Sequence, residues 1–307
     1  MSRSLKLIRP FDPWKSPICT CPEKYSLNPY TGCGHGCIYC YVSYVPRFDK
    51  PRRKKDLLRL VNEDLKQLKK DSIISLSNSS DPYQMLEGDF GDSRRVLEAF
   101  IGHPVKVLVI TKSNLVLKDR DILKKLQSAV MITITTLREE IAKKLEPNAP
   151  SPFLRLDAIS KLSREGIPCG IRLDPVIPNV NEGEIEEIVR EAKRRGALHV
   201  VSSTYKARSR NLMRIKEAFP QVSMDLERLY IEKGEKIKGS IYADKGWRLN
   251  VMERVKEVCH RFGITFSTCR EGFFDLKNSP SCDGSHLIDY AKPSMKESTF
   301  FPRTEWL

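Results

Sequence analysis

Apolar runs of strand length recur along this chain, separated by helix-length amphipathic segments, and that alternation limits the fold more than any other feature. The clearest runs are VKVLVIT at 105–111, AVMITITT at 129–136, CGIRLDPV at 169–176 and ALHVVSS at 197–203. Shorter ones lie at 26–30 and 73–76. Helical patterns fill the intervals, at 57–70 and near 93–101, 119–127, 151–165 and 182–194. Strands joined by helices pair in parallel, because a parallel neighbour needs a crossover of about a dozen residues or more. Six strands fit between 26 and 203, and one further pair is plain, a helix at about 248–261 followed by GITFST. A closed barrel of eight would need two. The expectation is therefore an α/β fold, a partial TIM-like barrel of six parallel β/α units carrying a C-terminal extension. Residues 1–24 read as an irregular lead-in interrupted by prolines, 25–203 as the barrel and 204–307 as the extension.

Open and closed α/β sheets place their chemistry at the C-terminal ends of the strands. The first strand runs directly into TGCGHGCIYCYV, where Cys33, Cys37 and Cys40 follow a C-x3-C-x2-C spacing. Three thiolates can hold three irons of a [4Fe-4S] cube and leave the fourth iron open to a non-protein ligand. An open iron can chelate the amino and carboxylate groups of a small molecule. Structural zinc is the competing use, with His35 as the fourth ligand inside a cramped turn, and inert buried thiols are a third.

The loop CGHGCIYC resembles that of the radical S-adenosylmethionine superfamily. With SSDPYQMLE, ITKSNLVLKDRDIL and the long segment from ITTLREE to RLDPVIP, the chain is similar to the spore photoproduct lyase-like branch over residues 25–203. The resemblance implies that Cys33, Cys37 and Cys40 ligate a [4Fe-4S] cluster that binds and reductively cleaves S-adenosyl-L-methionine, with electrons from a donor such as ferredoxin or flavodoxin. The outcome would be a 5'-deoxyadenosyl radical that abstracts hydrogen from a substrate. It also implies cofactor contacts at Tyr39, the aromatic before the third cysteine, at Ser80 and Asp81, and at Lys112 and Ser113. Lys112 ends an apolar strand, where an anion must pair with it. Arg172, two positions before Asp174 on one strand face, is a further cofactor-contact candidate. Arg155, Thr133 and Thr135 are read equally well as ordinary structural positions.

Six cysteines remain. Cys169 and Cys259 sit in apolar patterns and are expected in the core. Cys19, Cys21, Cys269 and Cys282 lie in loops from both ends of the chain, and an auxiliary [4Fe-4S] cluster or a zinc ion is expected there, iron–sulfur before zinc. Nine cysteines without an export signal do not suit a disulfide framework. No apolar run is long enough for a membrane span and MSRSLKLIRPFDPW is no signal peptide, so a cytoplasmic enzyme without a membrane partner is expected.

The formal charge of +14 favours a polyanionic partner. Two basic stretches concentrate it: one holds Arg52, Arg53, Lys54 and Lys55, the other Lys206, Arg208 and Arg210. Both could guide a phosphate backbone to the radical, with Tyr44, Phe48 and Tyr205 as stacking surfaces. The substrate expectation is a nucleic acid, RNA ahead of DNA, because an auxiliary cluster can serve RNA modification. A DNA-lesion repair lyase, a peptide- or protein-modifying radical enzyme and a noncatalytic nucleic-acid-binding module are the alternatives. Lyase members of the branch return hydrogen from a cysteine placed after the cluster loop. No cysteine occurs here between Cys40 and Cys169, which leaves Tyr205 and Tyr242 as candidates for hydrogen transfer.

Overall fold

The computed structural model describes residues 5–11, 16–42 and 44–290; the expected extension beyond 290 and parts of the lead-in lie outside the described residues. Seven parallel strands form the main sheet in chain order: β1 (Tyr25–Leu27), β2 (Ser72–Leu76), β3 (Val105–Thr111), β4 (Gln127–Thr133), β5 (Cys169–Val176), β6 (Ala197–Thr204) and β7 (Thr265–Thr268). The short strand Arg9–Pro10 pairs antiparallel on the outer edge of β1. Ile74 pairs with Val107, Val109 with Val130 and Ile171 with Val200, so apolar side chains meet row by row. The partial barrel is as expected. The sheet gains a seventh parallel strand because GITFST pairs with β6, Phe266 opposite Val200.

The strands are apolar on both faces because both faces are covered. Outside lie the helices α1 (Leu57–Leu65), α2 (Asp92–Phe100), α3 (Pro152–Arg164), α4 (Ile185–Arg194) and α5 (Lys245–Arg261). α3 begins where Ser151 accepts from the Leu154 N–H with Pro152 in its first turn, and it buries Leu156, Ile159 and Leu162 against the sheet. α5 starts in the same manner, with Asp244 accepting from Trp247 N. Cys169 and Cys259 belong to this core, as expected.

The concave face is filled from the C-terminal side. A 3-10 turn at Ser285–Tyr290 sets Leu287 and Ile288 against Leu108, Ala129, Met131 and Val201. Gly284 permits that approach: at φ +88°, an added Cβ would lie 2.4 Å from the Met131 sulfur. Beside it, Lys24 and Asp283 form a buried ion pair across 259 residues of chain. We call residues 279–290 the plug.

A small antiparallel sheet of Lys206–Ala207, Glu235–Ile237 and Ser240–Tyr242, with the helix Ser209–Ala218, packs around Tyr205, Ile215, Phe219 and Tyr230. Buried Glu271 pins this unit to the barrel, accepting from Thr204 N at 2.8 Å, Lys206 Nζ at 3.0 Å and Arg248 Nη1 at 3.0 Å. No helix among the described residues is long and apolar enough to cross a membrane.

Candidate active site

The strand ends open into a cavity of about 810 Å3. One wall is the loop that carries Cys33, Cys37 and Cys40, all three of which line it. Gly32 lets the loop turn, because at φ +83° an added Cβ would sit 2.7 Å from the Phe48 carbonyl oxygen. Two other segments hold the loop open. Gln84 Oε1 accepts from Gly34 N at 2.8 Å, and Asn148 Nδ2 donates to Gly34 O at 2.9 Å. Ile38 N donates to Leu145 O at 3.0 Å.

Asp81 is the hub between this loop and β3. It accepts from Thr111 Oγ1 at 2.6 Å, Lys112 N at 2.7 Å and Tyr83 N at 2.9 Å, and His35 Nε2 lies 3.2 Å away. Burial alone would raise this carboxyl, but His35, Thr111 and the Lys112 N–H outweigh it and hold it at about 2. Ser80 is likewise engaged, donating to the Tyr30 carbonyl at 3.0 Å. Both residues, expected as cofactor contacts, line the cavity and also shape the loop.

Lys112 reaches the cavity over the Tyr39 ring, 5.6 Å from its centroid. Burial disfavours its charge, but Cys37, Glu146 and Asp81 raise it above the ordinary lysine value. Below lies a buried relay that the sequence did not disclose: Tyr39 donates to Glu146, and Arg155 Nη1 pairs with Glu146 at 2.5 Å. Arg155, only 1% exposed, also donates to the carbonyls of Pro150 and Thr133. Glu146 stays ionised because Arg155 and Lys112 overcome the cost of its burial. Its position between two cysteine-loop contacts, in the segment Leu145–Asn148, is a signal only the folded chain reveals.

The opposite wall carries Arg172, Asp174, Cys269 and Arg270. Arg172 Nη2 donates to Asp174 Oδ2 at 2.7 Å and to the Cys269 sulfur at 3.8 Å, and Ser203 Oγ donates to Asp174 Oδ1 at 2.6 Å. Burial works against the Asp174 charge, but Arg172, Lys206 and Ser203 bring it down to about 2. Tyr41, between the walls, donates to Asn78 O and lies under Arg270 at 5.9 Å. Neither Tyr41 nor Arg270 carries a sequence signal of function, and Asp174 carries one only as the partner of Arg172.

Other expected residues make contacts of their own. Ser113, expected as a cofactor contact, accepts from Leu115 N at 3.2 Å and caps the turn that follows β3. Tyr205 lines the cavity, and its hydroxyl donates to Asn211 Oδ1 at 2.6 Å. Tyr242 is buried behind Lys206, whose Nζ is 5.3 Å from its ring centroid. Lys206, 8% exposed, is held by Glu271 inside the protein, a correction to its expected place on a phosphate-facing surface. Arg53 is engaged by both oxygens of Asp92. Arg52, Lys55 and Arg210 are exposed, Lys54 lines the cavity, and Arg208 stacks 4.3 Å from the centroid of Tyr44.

The residues present fit a three-thiolate cluster. Burial pushes the Cys33 thiol up to about 11 and raises Cys37 further, while Lys112 supplies a cation that favours the Cys37 thiolate. Among the described residues no three His, Cys, Asp or Glu side chains already surround one point as a single ion's shell would. A cube whose thiolates sit on separate irons does not require that arrangement.

The family model described as Radical SAM superfamily matches residues 27–192, more than half of the chain. Over 194 residues, 62% of this chain and 72% of the relative, the sequence is 32% identical to an uncharacterized protein of Methanocaldococcus jannaschii. It is 23% identical to the radical SAM Nalpha-GlyT isomerase of Pseudomonas phage M6 over 261 residues, 81% of this chain and 54% of that protein. A solved spore photoproduct lyase variant with bound AdoMet and dinucleoside spore photoproduct superposes with a TM-score of 0.66 at 15% identity, covering 85% of this chain and 80% of that one. Streptococcus suis SuiB bound to precursor peptide SuiA gives 0.54 at 14% identity, covering 79% and 48%. At such identities the structural likeness is one of fold.

Proposed function

This chain belongs to the radical S-adenosylmethionine superfamily, and on that premise we propose that it abstracts hydrogen from a base or sugar of a nucleic acid, DNA first. The observation that carries the proposal is the charge of the cavity. Eight Lys or Arg side chains line it against three acids, Asp81, Asp174 and Asp283. Four of these cations are paired with carboxylates, Lys6 with Glu63, Lys24 with Asp283, Arg172 with Asp174 and Lys206 with Glu271, so the positive excess is weighed at the others, Arg9 and Lys54 among them. Lys54 and Arg9 both line the cavity, and burial, with the Arg9 charge added, lowers the Lys54 pKa. Adjacent cations at a cavity mouth are relieved by an anion such as a phosphodiester.

When bound, the [4Fe-4S] cluster and S-adenosylmethionine supply the 5'-deoxyadenosyl radical. Cys33, Cys37 and Cys40 hold that cluster. Lys112 takes the carboxylate end of the cofactor and Tyr39 lies beside it, its hydroxyl fixed by Glu146. Asp81 and Ser80 position the loop, and Arg172 with Asp174 orients the substrate from the facing wall. An external one-electron donor, a ferredoxin or flavodoxin, serves the cluster in the cytoplasm. A second metal group, an auxiliary cluster or zinc, belongs to the same reading at Cys19, Cys21, Cys269 and Cys282.

The preference for RNA rested on that second group acting in the chemistry. A structural role removes its advantage, and the dinucleoside in the name of a structural neighbour supports placing DNA first. The precursor peptide in another name keeps a peptide as the competing substrate.

The test is anaerobic: reconstituted enzyme, reductant and S-adenosylmethionine are mixed with matched pools of damaged or modified DNA, RNA and acidic peptides. Substrate-dependent 5'-deoxyadenosine and a mass change in DNA are expected. Turnover of a peptide with every nucleic acid unchanged would overturn the proposal, and turnover of RNA alone would restore the polymer that the sequence favoured.

A further inference from the structure

Four cysteines come from the two ends of the chain; Cys19, Cys21 and Cys269 line the cavity and Cys282 is buried beside Cys21. Cys19 and Cys21 lie on an irregular segment ahead of β1, Cys269 directly follows β7, and Cys282 lies in the plug. The sulfurs of Cys21 and Cys282 are 3.5 Å apart although 261 residues separate them. Cys19, two residues before Cys21, lines the cavity with it. Cys269 is near enough to act electrostatically on both Cys19 and Cys282.

Deepening the reading of a second metal group, we propose that these four thiols bind one tetrahedral zinc ion, which clasps the N-terminal segment to the plug and closes the cavity wall opposite the cluster. The number of donors separates this site from the first. Three thiolates leave an open position and suit a reactive centre, whereas four close the shell and suit a structural one. Spacing agrees. A zinc tetrahedron with bonds of about 2.3 Å has an edge of about 3.8 Å, close to the Cys21–Cys282 separation of 3.5 Å. Ligands of a four-iron cube lie on different irons and are held farther apart. Among the described residues no three of these sulfurs already surround one point, so binding has to draw Cys19 and Cys269 in around the Cys21–Cys282 edge, the one edge already set.

The surroundings supply what a four-thiolate site needs. Such a site carries excess negative charge, and two cations already face its sulfurs: Arg172 Nη2 donates to Cys269 at 3.8 Å, and buried Lys24 interacts with Cys21 and Cys282 while paired with Asp283. Outer-shell donors of this kind fix ligand orientation. The mechanical logic is equally direct. Residues 19–24 form no helix or strand before β1. One ion joined to Cys269 and Cys282 would tie that segment to β7 and to the plug that fills the barrel.

The experiment counts metal in two full-length variants. In C33A/C37A/C40A, one zinc per chain is expected to remain without iron or sulfide, and cobalt(II) exchanged into it should give the strong visible bands of a tetrahedral thiolate site. In C19S/C21S/C269S/C282S, zinc should be lost, and amide exchange across 16–24 and 279–286 should quicken roughly tenfold or more, with the outer helices unchanged. C19S alone alters only a half-exposed thiol on the irregular segment and should release zinc to a chelator faster than wild type, so the comparison survives if the quadruple variant does not fold. Iron and sulfide in the triple variant, no metal in it, a Cys21–Cys282 disulfide in wild type, or unchanged exchange in the quadruple variant would each overturn the clasp. Failure of the parent reading looks different: wild type would then fail to cleave S-adenosylmethionine while the zinc count stood.

Discussion

Two walls of one cavity present thiols in opposite ways. On the first, Cys33, Cys37 and Cys40 come from eight consecutive residues, and the spacing alone announces an incomplete ligand set. On the second, Cys19, Cys21 and Cys269 line the cavity and Cys282 backs Cys21; they come from both ends of the chain, and Cys21 reaches Cys282 only because the plug enters the barrel. The reactive wall is thus encoded locally and the closing wall by topology. Removing the first should abolish chemistry, whereas removing the second should loosen the cavity.

The largest expected contrast lies there. Cys33→Ala, Cys37→Ala or Cys40→Ala should each reduce reductive cleavage of S-adenosylmethionine to background, measured as 5'-deoxyadenosine formed under dithionite. The variant lacking Cys19, Cys21, Cys269 and Cys282 should retain cleavage uncoupled from substrate. Equal loss in both would collapse the distinction between the walls, and retained cleavage in all three single variants would remove the first wall from the chemistry.

Next in size is Lys112. Removing one member of a buried charge pair costs about 2–5 kcal/mol, so Lys112→Met should weaken S-adenosylmethionine binding roughly thirtyfold or more, read by calorimetry on reconstituted protein. Folding should suffer less, because Glu146 keeps Arg155 and Asp81 keeps Thr111 and His35. Affinity within about threefold of wild type would place the cofactor carboxylate elsewhere.

What the sequence disclosed follows the same division between local and distant. The β/α alternation located the strands from 72 to 204 to within a few residues, because each apolar run carries its own period. The cysteine loop and the position of Lys112 at a strand end were legible for the same reason. Glu146 was not, since its partners Tyr39 and Arg155 are 107 and nine positions away and nothing in EPNAPSP marks a buried carboxylate. Lys206 and Arg53 misled, because a basic run says nothing about which members find Glu271 or Asp92. The seventh strand was seen as a pattern but set in the extension, as pairing with β6 is a tertiary fact.

Acid should test both walls alike. Asp81 on the first and Asp283 on the second are each held at about 2 against an ordinary 3.8: burial would raise both, but His35 and Thr111 outweigh it for one, Lys24 and Ser285 for the other. A carboxyl depressed in the folded state contributes stability that is complete above its unfolded value and is lost as pH falls from there through the folded one. Each should therefore contribute on the order of 2 kcal/mol near neutral pH, lost between about pH 4 and pH 2. Denaturant midpoints measured down that range should fall steeply for wild type and less steeply for Asp81→Asn and Asp283→Asn. An unchanged slope in Asp283→Asn alone would show the plug to be held by contacts other than its ion pair with Lys24.

The smallest effects belong to the cations outside the cavity, where the two basic stretches part company. Arg52 and Lys55 in the first and Arg210 in the second are exposed, and Arg53 is spent on Asp92. If nucleic acid runs across this surface, Arg52→Gln, Lys55→Gln and Arg210→Gln should each weaken DNA binding by only a few-fold. On duplex DNA the slope of log affinity against log salt should become shallower by about 0.9 for each phosphate that the variant no longer neutralises. Arg53→Gln should change that slope less and stability more, because it leaves the nearly buried Asp92 with Arg95 alone, at 3.5 Å. Lys206→Met should act almost wholly through folding, since it leaves Glu271 with Arg248 and Thr204 alone. A salt slope that responds to Lys206→Met as it does to Arg52→Gln would mean that Lys206 leaves Glu271 to meet a phosphate, and the boundary between cavity wall and binding surface would have to be redrawn there.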